Sequence, residues 1–203
     1  MNVQTVDYKD KNARSALATS LRETGFAVLV NHPITPKRIN EAYDDWADFF
    51  ASDSKQDWLF DPEHQDGFFP FKSENAKGAS EKDLKEFYHV YSWGRVPDSL
   101  NTMTRALYAD LVQLGQELLS WLDAEMPADL QAKMTSSLAS MMDGSAQSLF
   151  RVPEVASGHP RSRNCSAASF WRSLNHHSHQ NKKGRPSLFP ELIGHRLEVC
   201  RFQ

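Results

Sequence analysis

Residues 21–34 read LRETGFAVLVNHPI, and the way this stretch divides decides the fold. Its first four residues finish a helical pattern. In KNARSALATSLRET, residues 11–24, Ala13, Leu17 and Leu21 recur on one stripe of a 3.6-residue period. Gly25 follows, and glycine just past the last periodic residue ends a helix readily in the left-handed conformation. FAVLVNH is then a short, nearly all-apolar run, the pattern of a strand buried on both faces. Beyond Pro33, Thr35 can cap a second helix that has Pro36 at its first position. Ile39, Tyr43, Trp46 and Phe50 then fall on one helical face.

Downstream the pattern continues. Residues 51–80 are polar, with Gly and Pro, and read as loop. EFYHVYSW, residues 86–93, alternates as a strand: Phe87, His89 and Tyr91 on one side, Tyr88 and Val90 on the other. Asp98 can cap a long helix along which Leu100, Met103, Leu107, Leu111, Leu114, Leu118 and Leu122 keep a three/four period. A further helix is expected over about 128–143, carrying Leu130, Met134, Leu138 and Met141. SLFRV, residues 148–152, opens another strand. The expected class is therefore α+β.

The composition bounds the function. A chain of 203 residues, 40% hydrophobic with twelve Phe and five Trp, suits one domain with an aromatic-rich core. A net charge of −3 argues against a nucleic-acid partner. No apolar run has the length of a membrane span, and residues 1–15 lack a signal peptide's apolar stretch. With only Cys165 and Cys200, a disulfide framework is not expected and a cytoplasmic setting is. No sequence feature specifies an oligomeric state. The averages conceal a break, however. Residues 1–153 carry 23 acidic and 15 basic side chains, net −8, whereas residues 154–203 carry 3 and 8, net +5. The second segment has no Asp and no Tyr, and neither a helical period nor strand alternation is sustained in it.

The succession of helix, LRETGFAVLVNHPI, helix, GFFPF (residues 67–71), SENAKGASEKDLKEFYHV (residues 73–90), long helix and SLFRV resembles the N-terminal half of the isopenicillin-N-synthase-like, non-haem iron(II), 2-oxoglutarate-dependent dioxygenases. The resemblance covers roughly residues 3–152. It implies the helix-rich N-terminal module of a double-stranded β-helix (jelly-roll) dioxygenase; from the residues of this chain that fold is expected to be truncated, with an irregular, basic, His-rich tail over residues 153–203. It also implies a small-molecule substrate, oxidised as 2-oxoglutarate is decarboxylated. The family holds Fe(II) with His-x-Asp and a distant His, and an Arg-x-Ser arginine grips 2-oxoglutarate.

This sequence departs from the family there. With no Asp after Val152, a His-x-Asp cannot occur in the tail. The expectation is accordingly that this chain binds neither Fe(II) nor 2-oxoglutarate and is catalytically incomplete. Alternatives are a non-catalytic binding module or a weak metal-binding protein using Cys165, His176, His177 and His179. Histidine codons read one base later give Ile, Met or Thr, so the run 175–179 can hide a strand. A frameshift near residue 153, a variant C-terminus and a fused tail all fit, and the nucleotide sequence separates them.

The remaining candidates stand as follows. His64-Gln65-Asp66 is one formal His-x-Asp, but it lies in the loop before GFFPF and is expected to be solvated. Phe68, Phe69 and Phe71 either line a substrate pocket or pack. Lys85 and Glu86 either pair locally or sit at the substrate mouth. His32 and His89 are expected to be structural histidines.

Overall fold

The computed structural model describes residues 3–74, Lys82 and residues 85–155. The expectations for the tail beyond Val155, its Cys165, His176, His177 and His179 included, lie outside the described residues. Strand β1, Thr5–Asp7, pairs in parallel with β2, Val28–Val30, and helix α1, Ala13–Thr24, connects them. As the sequence predicts, α1 ends at Gly25 (φ +77°), whose N–H donates to the Leu21 carbonyl at 2.8 Å. Buried Ser20 holds this corner together. Its hydroxyl accepts from the Gln4 N–H at 3.1 Å and donates to the Phe26 carbonyl at 2.6 Å. Strand β2 differs from expectation. Leu29 is buried but Val28 and Val30 are only partly so, because a two-stranded ribbon has helix on one face alone.

Helix α2, Pro36–Ala51, starts as predicted: the Thr35 hydroxyl accepts from the Arg38 N–H at 3.3 Å. Its buried stripe is Ala42, Trp46, Phe49 and Phe50, and the predicted Tyr43 lies outside it, exposed. Phe49 takes the inward position, since a ring without a hydroxyl loses nothing by leaving water. The predicted loop over residues 51–80 holds two elements that it was not expected to hold. A 3-10 helix spans Asp53–Trp58, and strand β3 spans Gly67–Phe69. Gly67 admits no side chain: its φ is +108°, and a Cβ there would meet the carbonyls of Trp58 and Leu59 at 2.8 Å.

Strand β4, Lys85–Val90, is the centre of an antiparallel sheet of order β3-β4-β5, with β5 at Phe150–Val155. Strand β5 therefore runs past the change of composition at residue 153. Helix α3, Asp98–Ala124, is the spine of the molecule, 27 residues or about 40 Å long at 1.5 Å per residue. Leu100, Leu107 and Leu114 face a core built from α2 and the three-stranded sheet. Trp121, near the other end, packs with α1, β1 and β2. Asp98 does not cap this helix. Pro97 holds the cap position and Asp98 is the first helical residue, where its charge still favours the helix N-terminus.

The single helix expected over 128–143 is broken. Only α4, Ala128–Gln131, and a 3-10 turn, Ala139–Met142, form. The Asp123 carboxylate at the end of α3 explains the second piece. It accepts the N–H groups of Leu138 and Ala139 at 2.9 and 3.1 Å, after Ser136 and Ser137 interrupt the helical run. Among the described residues no helix is long and apolar enough to cross a membrane.

Candidate functional site

Alternation along β4 gives the three-stranded sheet two chemically distinct faces. On the helix side, Tyr88 lies opposite Phe68 on β3 and Val152 on β5, and Val90 lies opposite Phe150. All five are buried against α2 and α3. Glu86 is on this side too, held by Lys55 at 2.9 Å rather than by the neighbouring Lys85. The other face carries Lys85, Phe87 and His89 of β4, Phe69 of β3 and Arg151 of β5.

The rings on that second face form a continuous row. Phe60 lies 4.3 Å from Phe69, Phe69 stacks on Phe87 at 4.4 Å, and Phe87 lies 5.1 Å from His89. The row continues from His89 to Tyr91 at 6.4 Å and from Tyr91 to Trp93, stacked at 4.8 Å with an interplanar angle of 4°. The Arg151 guanidinium sits over Phe87, 4.4 Å from its centroid, and its Nε–H donates to His89 Nε2 at 3.0 Å. Because a guanidinium only donates, His89 Nε2 carries a lone pair in this arrangement and the ring proton belongs on Nδ1. Lys85 Nζ lies 5.7 Å over the same Phe87 ring. Charge is thus sorted by face. Within the strands, Lys85 and Arg151 project one way, and Glu86 and Glu154 the other.

The loop after β4 is fixed from below. Asp66, 1% exposed, accepts from the Arg95 backbone N–H and from Arg95 Nε and Nη2 at 3.0 and 2.9 Å. Arg105 of α3 donates to the carbonyls of Tyr91 at 2.7 Å, Ser92 at 2.8 Å and Gly94. Tyr88, whose phenol burial holds well above its ordinary pKa, donates to the Arg95 carbonyl at 3.0 Å. Trp93 Nε1 donates to the Ala146 carbonyl at 2.9 Å, so the stacked pair is anchored at both ends.

The structure separates the sequence candidates. Phe68 is in the helix-side core at 0% exposure, whereas Phe69 and Lys85 are on the opposite face. Phe71 lies beyond β3, 41% exposed, with Lys72 Nζ 5.5 Å over its ring. His89 is buried among aromatic rings. Sequence reading missed Arg151, Arg95 and Arg105. Strand parity could have found the first: in SLFRV it falls opposite in phase to Phe150 and Val152.

His64-Gln65-Asp66 does not fit an iron pair. The Asp66 carboxylate is buried against Arg95, and His64 Nδ1 turns instead to Asp61 at 2.8 Å. Among the described residues no group of three or more His, Cys, Asp or Glu is placed to hold a metal. The Asp61 pairing has a pH signature. The hydrogen bond to Asp61 raises the His64 pKa, and the same bond pulls Asp61 down to about 2. Burial lowers that of His32. The His64 link therefore stabilises the fold below the ordinary histidine pKa, fades as pH rises through the raised value, and is lost again only near the Asp61 pKa. In an NMR titration, His64 is expected to titrate above the ordinary value and His32 below it, and Asp61→Asn should return His64 towards that value. A His64 unaffected by Asp61→Asn would refute the pairing.

Comparison with known proteins agrees with this architecture. A family model described as "non-haem dioxygenase in morphine synthesis N-terminal" matches residues 3–107. The fold is similar to that of a proposed oxygenase from Shewanella oneidensis, with 39% identity and a TM-score of 0.70 over 81% of this chain and 59% of that one. It is also similar to a proposed 2OG-Fe(II) oxygenase family protein from Caulobacter crescentus, with 26% identity and a TM-score of 0.50 over 60% of this chain and 48% of that one. This chain thus spans less than two thirds of either relative. No curated protein matches. With the family's N-terminal model matched over more than half of its length, the chain belongs to the non-haem, 2-oxoglutarate- and Fe(II)-dependent dioxygenase family and carries that family's N-terminal portion.

Proposed function

We propose that residues 3–155 form the bracing half, and one substrate wall, of a cytoplasmic Fe(II)/2-oxoglutarate-dependent oxygenase of small molecules, with no nucleic-acid or membrane partner. The observation that carries this reading is the family match over residues 3–107, with 39% identity to the Shewanella protein over 81% of the chain. In this reading the sheet is the first wall of the jelly roll. Helices α2 and α3 pack its outer face, and the Phe69, Phe87, His89 and Arg151 face looks into the reaction chamber. Phe69 and Lys85 touch substrate there, and Phe71 lies at the rim. Phe68 supports the wall from behind, because it packs against Phe49 and Phe50 on the helix side.

The described residues supply no donor set that fits iron, so no step of the oxidation is assigned to them. What they do is position substrate and exclude water. The ring row, buried at Phe69 and Phe87 and open at Trp93, keeps water from that wall and offers apolar surface to a substrate at its open end.

The test uses two proteins. The 203-residue chain itself, given Fe(II) and 2-oxoglutarate, is expected to release succinate at background rate. A chimera in which residues 156–203 are replaced by the corresponding C-terminal part of the Shewanella protein is expected to release succinate in an iron-dependent manner. A folded chimera without that activity overturns the oxygenase reading. Iron-dependent turnover by the chain alone overturns its incompleteness.

A further inference from the structure

We propose that Pro153 guards the outer edge of β5 against a second copy of this chain, whose own β5 would otherwise add to the sheet there. The proposal stands apart from the oxygenase reading and concerns how the molecule associates.

The three-stranded sheet has an outer edge on β3 and another on β5. The first is covered. The Phe60 N–H donates to the Phe68 carbonyl at 2.8 Å, and Leu59 bridges Phe68 in parallel. On β5 the described residues supply one neighbour, β4. A row of unpaired main-chain groups is a template for a further strand, and a second copy of the chain offers an identical one.

The ladder tells which groups of β5 point to that edge. In an antiparallel pair the N–H and C=O of one residue point to the same side, and the side alternates along the strand. The Phe68 carbonyl points away from β4, to Phe60, so Phe68 and the Tyr88 opposite it form a non-hydrogen-bonded pair. Tyr88 therefore turns its N–H and C=O the other way, to Val152 on β5. Alternation carries the rest. The main chain of Val152 points inward to β4, and the main chains of Arg151 and Pro153 point outward.

Proline at this position costs the β4–β5 ladder nothing. It has no N–H, and at 152 it would have removed a donor to β4. At 153, where the residue is exposed, the missing donor faces outward and is lost only to an incoming strand. The ring Cδ stands where the N–H would be, so it also pushes away the carbonyl of a neighbour. Two β5 strands related by a twofold axis meet this obstacle twice, because each copy brings its own Pro153. In every symmetric register that engages residue 153, a carbonyl on each strand is left without a donor, which is costly to bury.

The test restores the donor. Pro153→Val in the full 203-residue chain is expected to self-associate about 10-fold more tightly or better in sedimentation equilibrium, as for hydrogen bonds regained across the pair. Amide hydrogen exchange on the same variant locates the contact. In dilute, monomeric protein the N–H gained at position 153 is expected to exchange as a free amide, while that of Val152 stays protected. At a concentration where the variant associates, the N–H at 153 is expected to become protected. Pro153→Ala restores the donor with less strand propensity and is expected to shift association the same way by a smaller factor.

An N–H at 153 already protected in the dilute monomer would overturn the proposal, since that donor would then be satisfied within one chain. Association no tighter than that of the unsubstituted chain would overturn it too. So would tighter association that leaves the N–H at 153 unprotected, because the contact would lie elsewhere. If neither variant folded, judged by protection at Val152, Pro153 would be serving the fold rather than the edge, and the proposal would fall. No iron or 2-oxoglutarate is involved, so failure here leaves the oxygenase reading untouched, and failure of the chimera to release succinate leaves the edge untouched.

Discussion

Replacing Trp46 by alanine is expected to cost about 3–5 kcal/mol of folding free energy, the range for deleting a large buried aromatic. Trp46 is 2% exposed and stands where α2 meets the sheet. Its ring centroid is 5.4 Å from that of Phe49, 6.0 Å from Phe50 and 5.1 Å from Tyr88. Those neighbours are themselves packed against Phe68, so the cavity cannot close by moving one side chain. Domains of this size are stable by only about 5–15 kcal/mol, so the loss is a large fraction of the whole. Urea unfolding followed by circular dichroism should show a lowered midpoint at unchanged slope. Trp46→Phe should behave differently. Trp46 Nε1 is buried without a hydrogen-bond partner among the described residues. Phenylalanine removes that unsatisfied donor, whose desolvation costs about 1–3 kcal/mol, while retaining most of the ring. Less than about 1.5 kcal/mol is therefore expected to be lost. A Trp46→Ala midpoint indistinguishable from that of the unsubstituted chain would mean that α2 does not seat on the sheet as described.

What the sequence made legible follows from how each element is encoded. Helix α1, its stop at Gly25, the Thr35 cap and the α3 leucine stripe are written locally, in a period or in one residue's φ preference. All are found in the structure. The parity of Phe87, His89 and Tyr91 was legible for the same reason. Strand β1 was not: TVD has no alternation to read, and its place is set by pairing with Val28–Val30 across the whole of α1. The break in 128–143 was illegible because its cause, the Asp123 carboxylate, sits fifteen residues before Leu138. Trp46 was legible as core, but the rotation of the stripe towards Phe49 was not, since it depends on what the sheet presents to the helix.

The candidate site was half legible. Phe69 and Lys85 could be picked from their segments, and the resemblance supplied a reason to pick them. That they share a face with Arg151 depends on the register of β5 against β4, which places Arg151 opposite His89. No local signal carries that register. It comes from a connection that passes through α3 and the broken segment after it. Phe68 shows the converse. Within GFFPF the residues 68 and 69 are equivalent as composition, and only the pairing of Phe68 with Tyr88 tells which one faces the helices.

The second large effect is expected at Arg95, and it should exceed that of its own partner. In the Asp66–Arg95 pair the carboxylate is 1% exposed, while the Arg95 side chain is 41% exposed. Removing one member of a buried ion pair costs about 3–5 kcal/mol, because a charge is left without compensation. Which member is removed decides how much is left in the dark. Asp66→Ala strands a guanidinium that can turn towards water and that also donates to the Leu59 carbonyl at 3.1 Å, so the lower end of the range is expected. Arg95→Met strands a carboxylate that cannot reach water and retains, among the described residues, the backbone N–H of residue 95 as its donor, so the upper end is expected. The double substitution Asp66→Ala with Arg95→Met removes both charges and should be more stable than Arg95→Met alone, a non-additivity that urea titrations of the four proteins would read directly. The same pair fixes the loop that carries the Tyr91–Trp93 stack. Arg95→Met is therefore also expected to loosen that end of the ring row, seen as broadened Trp93 indole resonances, before the chain unfolds. If Asp66→Ala proved as costly as Arg95→Met, with the double variant simply additive, the two groups would not be acting as a pair, and the loop would owe its position to Arg105 and α3 instead.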